Sequence, residues 1–495
     1  VITHHYKRKE GVKMEVKQLD DYFGYTEKGS SFEGELRAGL TTFLTMAYIL
    51  FVNPDMLELG FTATETSGPI GIPFDDALFA TAVAAFVGCV IMGLWANLPF
   101  ALAPGMGLNA YFAFTIVLGE NGIGWEMALF AVFIEGILFL ILSLPQVGAR
   151  TAMINAIPKD LKIATGAGIG MFLAIIGLRE MGWIVDDGAT LVQLTHELDG
   201  INLGNGELWA MLCLIAITAM MAKGIKGAIA YGILGTSVIA WILGALDQPV
   251  VDTYNVTDWN TAEVTFSAAN LLDVANFPDE SFLAALGDKG LGDLGDGVSY
   301  ADFFMVMVAF LFVDIFDTAG TLYSVGRQAG YVDENDELHN SDEAFMADAG
   351  ATIIGAAFGT STTTTYIESA AGVEEGGKTG LTAVTVGVLM LSGLLLAGLF
   401  KQIPTFAAAP ALVIIGAMMM RQAVDIDWSD IGISIPAFVT MVMMPFTYSI
   451  AAGIAWGIIT YVSINALSGK HKDISIVMWV LAIAMVLFYG TVTID

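Results

Sequence analysis

The sequence predicts an all-α polytopic membrane protein made of two inverted seven-segment repeats, with one extra apolar run at the C-terminal end. Three observations predict it. Of 495 residues, 56% are hydrophobic and only 14% charged, too little charge to cover the surface of a soluble domain of this size. Apolar stretches near or above the length needed to cross a ~30 Å hydrocarbon core recur from end to end. The two halves also echo each other: AIAYGIL (Ala228 to Leu234) matches GIAWGII (Gly453 to Ile459), and FLAIIGL (Phe172 to Leu178) resembles ALVIIGA (Ala411 to Ala417). Their common order supports a duplication, and an odd number of crossings per half makes the repeats inverted in the membrane.

In chain order the apolar segments are read at 38–53, 77–97, 105–118, 126–144, 163–180, 207–222 and 226–244. The second set runs 302–325, 345–358, 366–373, 380–400, 405–420, 431–447 and 450–467, and 474–490 is left over. Residues 1–30 are expected to be a disordered cytoplasmic N-terminus; VITHHYKRKEGVK lacks the apolar core of a signal peptide, and Met14 is read as the true start. Basic residues at Lys7 to Lys17, Arg150, Lys159, Lys162, Lys223, Lys226, Arg327, Lys378, Lys470 and Lys472 fall on one side of alternating crossings. The positive-inside rule makes that side cytoplasmic, with Arg179 and Lys401 as exceptions. The opposite side receives 183–206, without Lys or Arg, and the acidic loop 247–301, where Lys289 is the only basic residue.

Fifty acidic residues against 20 basic ones give a net charge of −30, which repels nucleic acid. A halophilic protein carries such a surface; acidic loops that attract cations are the alternative. Cys89 and Cys213 lie in apolar segments and read as small core residues. No ligand-spaced His/Cys pair, P-loop or dinucleotide fingerprint is present, so neither a cofactor nor ATP drive is implied.

The third segment of each half is broken. In ALAPGMGLNAYFAF (Ala101 to Phe114), Pro104, Gly105 and Gly107 interrupt the helix before Leu108. In GTSTTTTYIESAAGV (Gly359 to Val373) the nearly all-β-branched run Ser361 to Thr365 favours extended backbone. Matched interruptions are the best sequence pointer to a transporter's binding site, and the two breaks are expected to face each other across a central cavity between Asp314 and Glu368.

Ionisable residues inside crossings are costly and therefore functional candidates. Asp314 and Asp317 stand three apart in FLFVDIFDTAGTL, on one helical face. Glu368 follows the threonine run in TYIESAAG, and Glu135, inside AVFIEGILFL, reads more as a buried acid bonded to its neighbours. Asn109 ends the Gly-rich break with an amide that both donates and accepts. Leu108 beside it, and Thr365 as one hydroxyl of the threonine run, complete the substrate-binding set with Glu368, Asp314 and Asp317. A carboxylate pair in low dielectric suits proton coupling, so Asp314 and Asp317 are also the coupling candidates. Tyr111, Phe112 and Tyr366 flank the breaks, where stacking on a ring competes with plain packing.

AGLTTFLTMAYILFVNP, APGMGLNAYF, FLFVDIFDTAGTL and TSTTTTYIESAAGV, in this order, resemble the hypoxanthine/guanine/adenine permease branch of the nucleobase–cation symporter-2 family over about Leu19 to Leu467. The resemblance implies fourteen segments, short antiparallel strands in the third and tenth, and an elevator-like importer of purine nucleobases in the cytoplasmic membrane. It implies a core domain (31–145 and 302–400) and a gate domain (158–246 and 401–495). The coupling ion is then H⁺, with Na⁺ the alternative in a saline habitat. Glu368, Asp314, Asp317 and Asn109 match the family's acidic and amide positions. A planar purine offers N–H donors to the carboxylates and ring acceptors to amides at helix starts. Permeases of this kind can pair through the gate domain, so a homodimer is an expectation. The alternatives are a uracil/xanthine or anion transporter of the same fold, or a channel. The uracil branch carries a Glu–His pair where this chain has two aspartates, an anion is poorly matched to acids at both breaks, and no pore-lining stripe is visible.

Overall fold

The computed structural model describes residues 17–58, 71–118, 123–146, 158–188, 190–194, 204–246, 250–254, 260–263, 266–271, 273–295, 298–332 and 338–491. Helix α1 (Phe32–Met46) is capped by Ser31, whose side chain accepts from Gly34 N, and carries Glu33 and Glu35 in its first turn. The chain breaks at Ala47–Tyr48 and resumes as α2 (Ile49–Glu58). Next come α3 (Phe74–Ile91), β1 (Leu102–Pro104), α4 (Met106–Ala110, continued by a π-helical stretch to Val117), α5 (Trp125–Ser143) and α6 (Lys159–Glu180). A hairpin of β2 (Ile184–Asp187) and β3 (Leu191–Leu194) leads to α7 (Gly206–Ala222) and α8 (Ala228–Ala245).

The second half opens with a hairpin of β4 (Val251–Tyr254) and β5 (Asn260–Glu263), followed by α9 (Tyr300–Ala329) and α10 (Ser341–Phe358). β6 (Thr363–Thr365), α11 (Ser369–Glu374), α12 (Gly380–Ser392), α13 (Pro410–Met420), α14 (Ile431–Thr447), α15 (Ile450–Leu467) and α16 (Ile476–Thr491) complete it. Among the described residues nine helical stretches are long and apolar enough to cross a membrane, and four shorter apolar helices accompany them.

The helices pack in two sets. α3 contacts α2, α10 and α12, α5 contacts α9 and α10, and α12 contacts α1. Separately, α6 contacts α13 and α14, α14 contacts α15, and α7 contacts α8 and α13. Glycine lets the α6 and α13 backbones touch: a Cβ on Gly170 would lie 2.5 Å from Gly416 O. Close approach of small residues is how helices associate where surrounding lipid removes the hydrophobic drive.

β1 and β6 pair antiparallel, Leu102 opposite Thr365 and Pro104 opposite Thr363. Extended backbone inside the apolar bundle must have every polar group satisfied, and neighbouring groups supply the partners. Thr363 N donates to Thr352 Oγ1 at 3.1 Å and Thr352 Oγ1 to Thr363 O at 3.0 Å. Ala101 N donates to Ser369 Oγ at 2.9 Å, Leu102 N to Cys89 Sγ at 3.2 Å, and Pro104 has no N–H to place. The breaks thus bond directly to each other, with no cavity between them; the open space lies to one side.

Residues 17–30, read from the sequence as part of a disordered terminus, are ordered instead. Residues 17–23 are helical, and Phe23 and Tyr25 bury against Leu381, apolar burial that offsets the ordering entropy. The remainder of the expected disordered stretch, 1–16, lies outside the described residues. The loop 247–301 is tied back over the helix ends: Asp76 Oδ2 accepts from Ser281 N at 2.8 Å, and Leu283 N donates to Ala357 O at 2.7 Å. The run 474–490 falls on α16, which packs against α15.

Candidate functional site

A cleft opens beside the two-stranded sheet, where the chain is least regular. One wall is built from the start of α4 (Gly105, Met106, Gly107), from Asp317 and Thr321 on α9, and from Thr364 to Glu368. The first-turn amides of a helix have no intrahelical acceptor, so α4 brings donors to this wall. Tyr48, from the break between α1 and α2, gives its hydroxyl to Glu368 Oε1 at 2.8 Å. Tyr366 is buried and bonds to Pro104 O at 2.5 Å, which fixes its ring on the cleft. The facing wall comes from the other helix set: Lys162, Thr165, Gly166 and Ile169 of α6, with Ile415, Met419 and Gln422 beyond. The walls touch at Gly107, where a Cβ would meet Ile169 Cγ2 at 2.4 Å.

Behind the sheet lies a second polar set, sealed from the surface. Asp314, Asp348, Glu135 and Thr318 are each 0% exposed. Thr318 Oγ1 bonds to Asp348 and lies 3.3 Å from Asp314 Oδ1 and 2.9 Å from Thr364 Oγ1. Thr365 Oγ1 donates to Asp348 Oδ1 at 3.2 Å. Glu135 joins them from α5, which packs against α9 and α10, and neither of its carboxyl oxygens has a hydrogen-bond partner among the described residues. The cleft and the sealed acids therefore share the same short strand.

A half-buried glutamate and aspartate on a cleft, with helix-start amides and tyrosines beside them, suit a small heterocycle carrying N–H donors. Comparison with known proteins agrees in kind. The sequence matches the model of the xanthine/uracil-type Permease family over residues 33–456. The chain belongs to that family. It is 40% identical over 474 residues to a putative permease of Methanocaldococcus jannaschii, covering 96% of this chain and 98% of the relative. It is 39% identical over 474 residues to a guanine/hypoxanthine permease of Bacillus subtilis, covering 95% and 99%. The fold is similar to the transmembrane domain of a cyanobacterium bicarbonate transporter at TM-score 0.58 and 14% identity, covering 85% of this chain and 97% of that one. The purine-permease resemblance of the four motifs holds, and the protein is a multi-pass membrane permease rather than an enzyme.

In this permease the residues singled out from the sequence fall into two groups. Glu368, Asp317 and Thr365 line the cleft. Asp314, Asn109 and Leu108 do not; all three are buried behind it. Asp314 and Asp317 were placed on one face by their spacing, yet residues three apart on an α-helix still differ by about 60° around its axis. That angle puts Asp317 on the cleft and Asp314 inside. Neither amide atom of Asn109 has a hydrogen-bond partner among the described residues.

Tyr48, Lys162, Gln422 and Asp348 were not singled out from the sequence. Asp348 was findable, as an acid inside the apolar segment 345–358, by the rule that selected Asp314. Tyr48 was not, because a lone aromatic in an apolar run reads as packing.

Proposed function

We propose that this permease is a secondary active transporter that imports purine nucleobases such as hypoxanthine, guanine or adenine by cation symport, with H⁺ as the coupling ion. The observation that carries the reading is the cleft itself, with Glu368 held by Tyr48, and Asp317 on the same wall as the start of α4. Carboxylates accept from the ring N–H groups of a purine, helix-start amides donate to its ring nitrogens and carbonyl, and the tyrosines on the cleft wall offer aromatic surface to a flat ring. The guanine/hypoxanthine permease among the relatives supports the same substrate class. An anion, which the similar bicarbonate transporter carries, would meet two acids in this cleft.

The mechanism proposed with it is elevator-like. The set α1–α5 with α9–α12 forms a core domain that carries the substrate site, and the set α6–α8 with α13–α15 forms a gate domain, in two inverted seven-segment repeats. The two packing sets and a cleft lined from both support this division. The lysines at Lys223, Lys226, Lys378 and Lys470 support a cytoplasmic position for that side and for the N-terminus. The test is initial uptake of labelled hypoxanthine and guanine in a host lacking its own purine uptake. Saturable uptake that excess adenine or guanine suppresses, and that uracil and bicarbonate leave intact, is expected. Purine-independent behaviour of the parent protein, or stronger suppression by uracil, ends the reading.

A further inference from the structure

We propose that Glu135 is the residue on which this permease carries its coupling proton, shared with Asp314 in a sealed site behind the cleft. The inference rests on the symport reading above and assigns the site that the reading leaves open. Glu135 stands on α5 and Asp314 on α9, both 0% exposed. The two helices pack together, and neither Glu135 oxygen nor Asp314 Oδ2 has a hydrogen-bond partner among the described residues. Two ionised carboxylates are acceptors only and repel each other. A proton on one acid turns that acid into a donor, and such a proton is what the orphaned oxygens lack.

No positive side chain does the same work. Of the elements packed on α5, α9 brings Asp314 with Asp317 a turn nearer the cleft, and α10 brings Asp348. The π-helical stretch after α4 brings only Tyr111, the turn Ala284–Leu286 brings no charge, and the turn Leu291–Asp293 carries an acid, Asp293, and no base. Lys289 pairs with Glu126 at 3.4 Å, nine residues along α5 from Glu135 and so roughly 13 Å away on helix rise.

Thr318 connects this pair to the cleft. Its hydroxyl has one proton to give and two buried acids within reach, Asp348 and, at 3.3 Å, Asp314 Oδ1. In this structure the closer bond goes to Asp348. Loss of the shared proton leaves Asp314 ionised and draws the Thr318 hydroxyl toward it. Thr364 Oγ1, 2.9 Å from Thr318, belongs to the strand that lines the cleft, so proton occupancy and the shape of the purine site change together. Glu135 is thus a coupling residue that never touches the purine.

The test uses the purified full chain in proteoliposomes containing a pH-sensitive dye. In the parent, an inward proton gradient should drive hypoxanthine accumulation, about tenfold per pH unit for one proton per purine, and hypoxanthine should draw protons inward. Glu135→Gln supplies a permanent amide donor to Asp314 and mimics the protonated pair. Hypoxanthine exchange should remain measurable, while the accumulation ratio falls to near one and hypoxanthine-linked proton entry disappears. Glu135→Asp keeps the carboxyl and should recover part of the coupling with a shifted pH profile. Glu135→Gln that accumulates hypoxanthine with parental proton entry overturns the proposal. So does a proportional loss of exchange and accumulation in both variants, the mark of a purely structural role. Accumulation by the parent under a Na⁺ gradient alone overturns the proton assignment while leaving purine transport intact. A parent with no hypoxanthine binding or exchange removes the purine reading and this proposal with it.

Discussion

Single residues divide by whether their chemistry conflicts with their surroundings. Glu368, Asp317 and Thr365 were legible because an acid or a hydroxyl in an apolar span needs a reason to be there. Asp314 was legible for the same reason, but its depth was not, since spacing gives a face only to within tens of degrees. Glu135 looked like a packed acid bonded to neighbours, and the missing hydrogen bonds only appear once the helices are placed. Glu368→Gln keeps the shape but replaces an ionised acceptor with a neutral amide. The loss of a charge-assisted bond, ~1.5–3 kcal/mol, should weaken purine affinity by roughly ten- to a hundredfold. Tyr48→Phe removes only the hydroxyl that orients Glu368, so a smaller loss of roughly three- to tenfold is expected. Both are read from competition binding in detergent, normalised to folded protein. Parental affinity in Glu368→Gln would remove the carboxylate from the site.

At the scale of elements, the breaks in the third and tenth segments could be read from Pro104, Gly105 and the threonine run. Their pairing could not be read from the residues alone. Strands of three residues carry no alternation to set a register, and the partner is chosen by what surrounds them. The structure shows what does so: Thr352, Ser369 and Cys89 each hold a backbone group of the β1–β6 unit. Thr352 is 0% exposed and serves Thr363 twice, as acceptor and donor. Thr352→Val preserves shape and strands both backbone groups in a dry interior, at a cost of ~1–3 kcal/mol for an unsatisfied group. A lowered melting temperature in detergent is expected. Thr385→Val is the control, because its hydroxyl bonds only to Leu381 O of its own helix at 2.8 Å and should cost little. Equal effects of the two substitutions would contradict this account of how the sheet is held.

At the scale of the molecule, the two helix sets meet at few polar points, and these should move when the proposed core slides against the proposed gate. Thr115 Oγ1 donates to Tyr448 O at 2.5 Å at one of them. At another, Lys226, between α7 and α8, bonds Glu375 Oε1 at 2.7 Å just beyond α11, while Arg37 of α1 holds Glu375 Oε2 at 3.3 Å. The hydrogen bond from Lys226, with its charge and that of Arg37, holds the Glu375 carboxyl below the ordinary glutamate range. A depressed carboxylate contributes its contact above the ordinary range and loses it as pH falls through the depressed value. The bridge should therefore persist at neutral and mildly acidic pH and release only below the range where free glutamate titrates. Both partners are about one-third exposed, so water and salt limit its strength. Lys226→Met keeps the stem and removes the charge, and it should depopulate the arrangement seen here by no more than roughly fivefold. Spin labels at positions 223 and 378, one on each side of the bridge, would report the change as a smaller fraction at the short distance. The parent should show the same decline only on acidification below the glutamate range, and Lys226→Met should show no further change there. An unaltered distance distribution in Lys226→Met would mean that the bridge follows the arrangement of the two sets without helping to hold it.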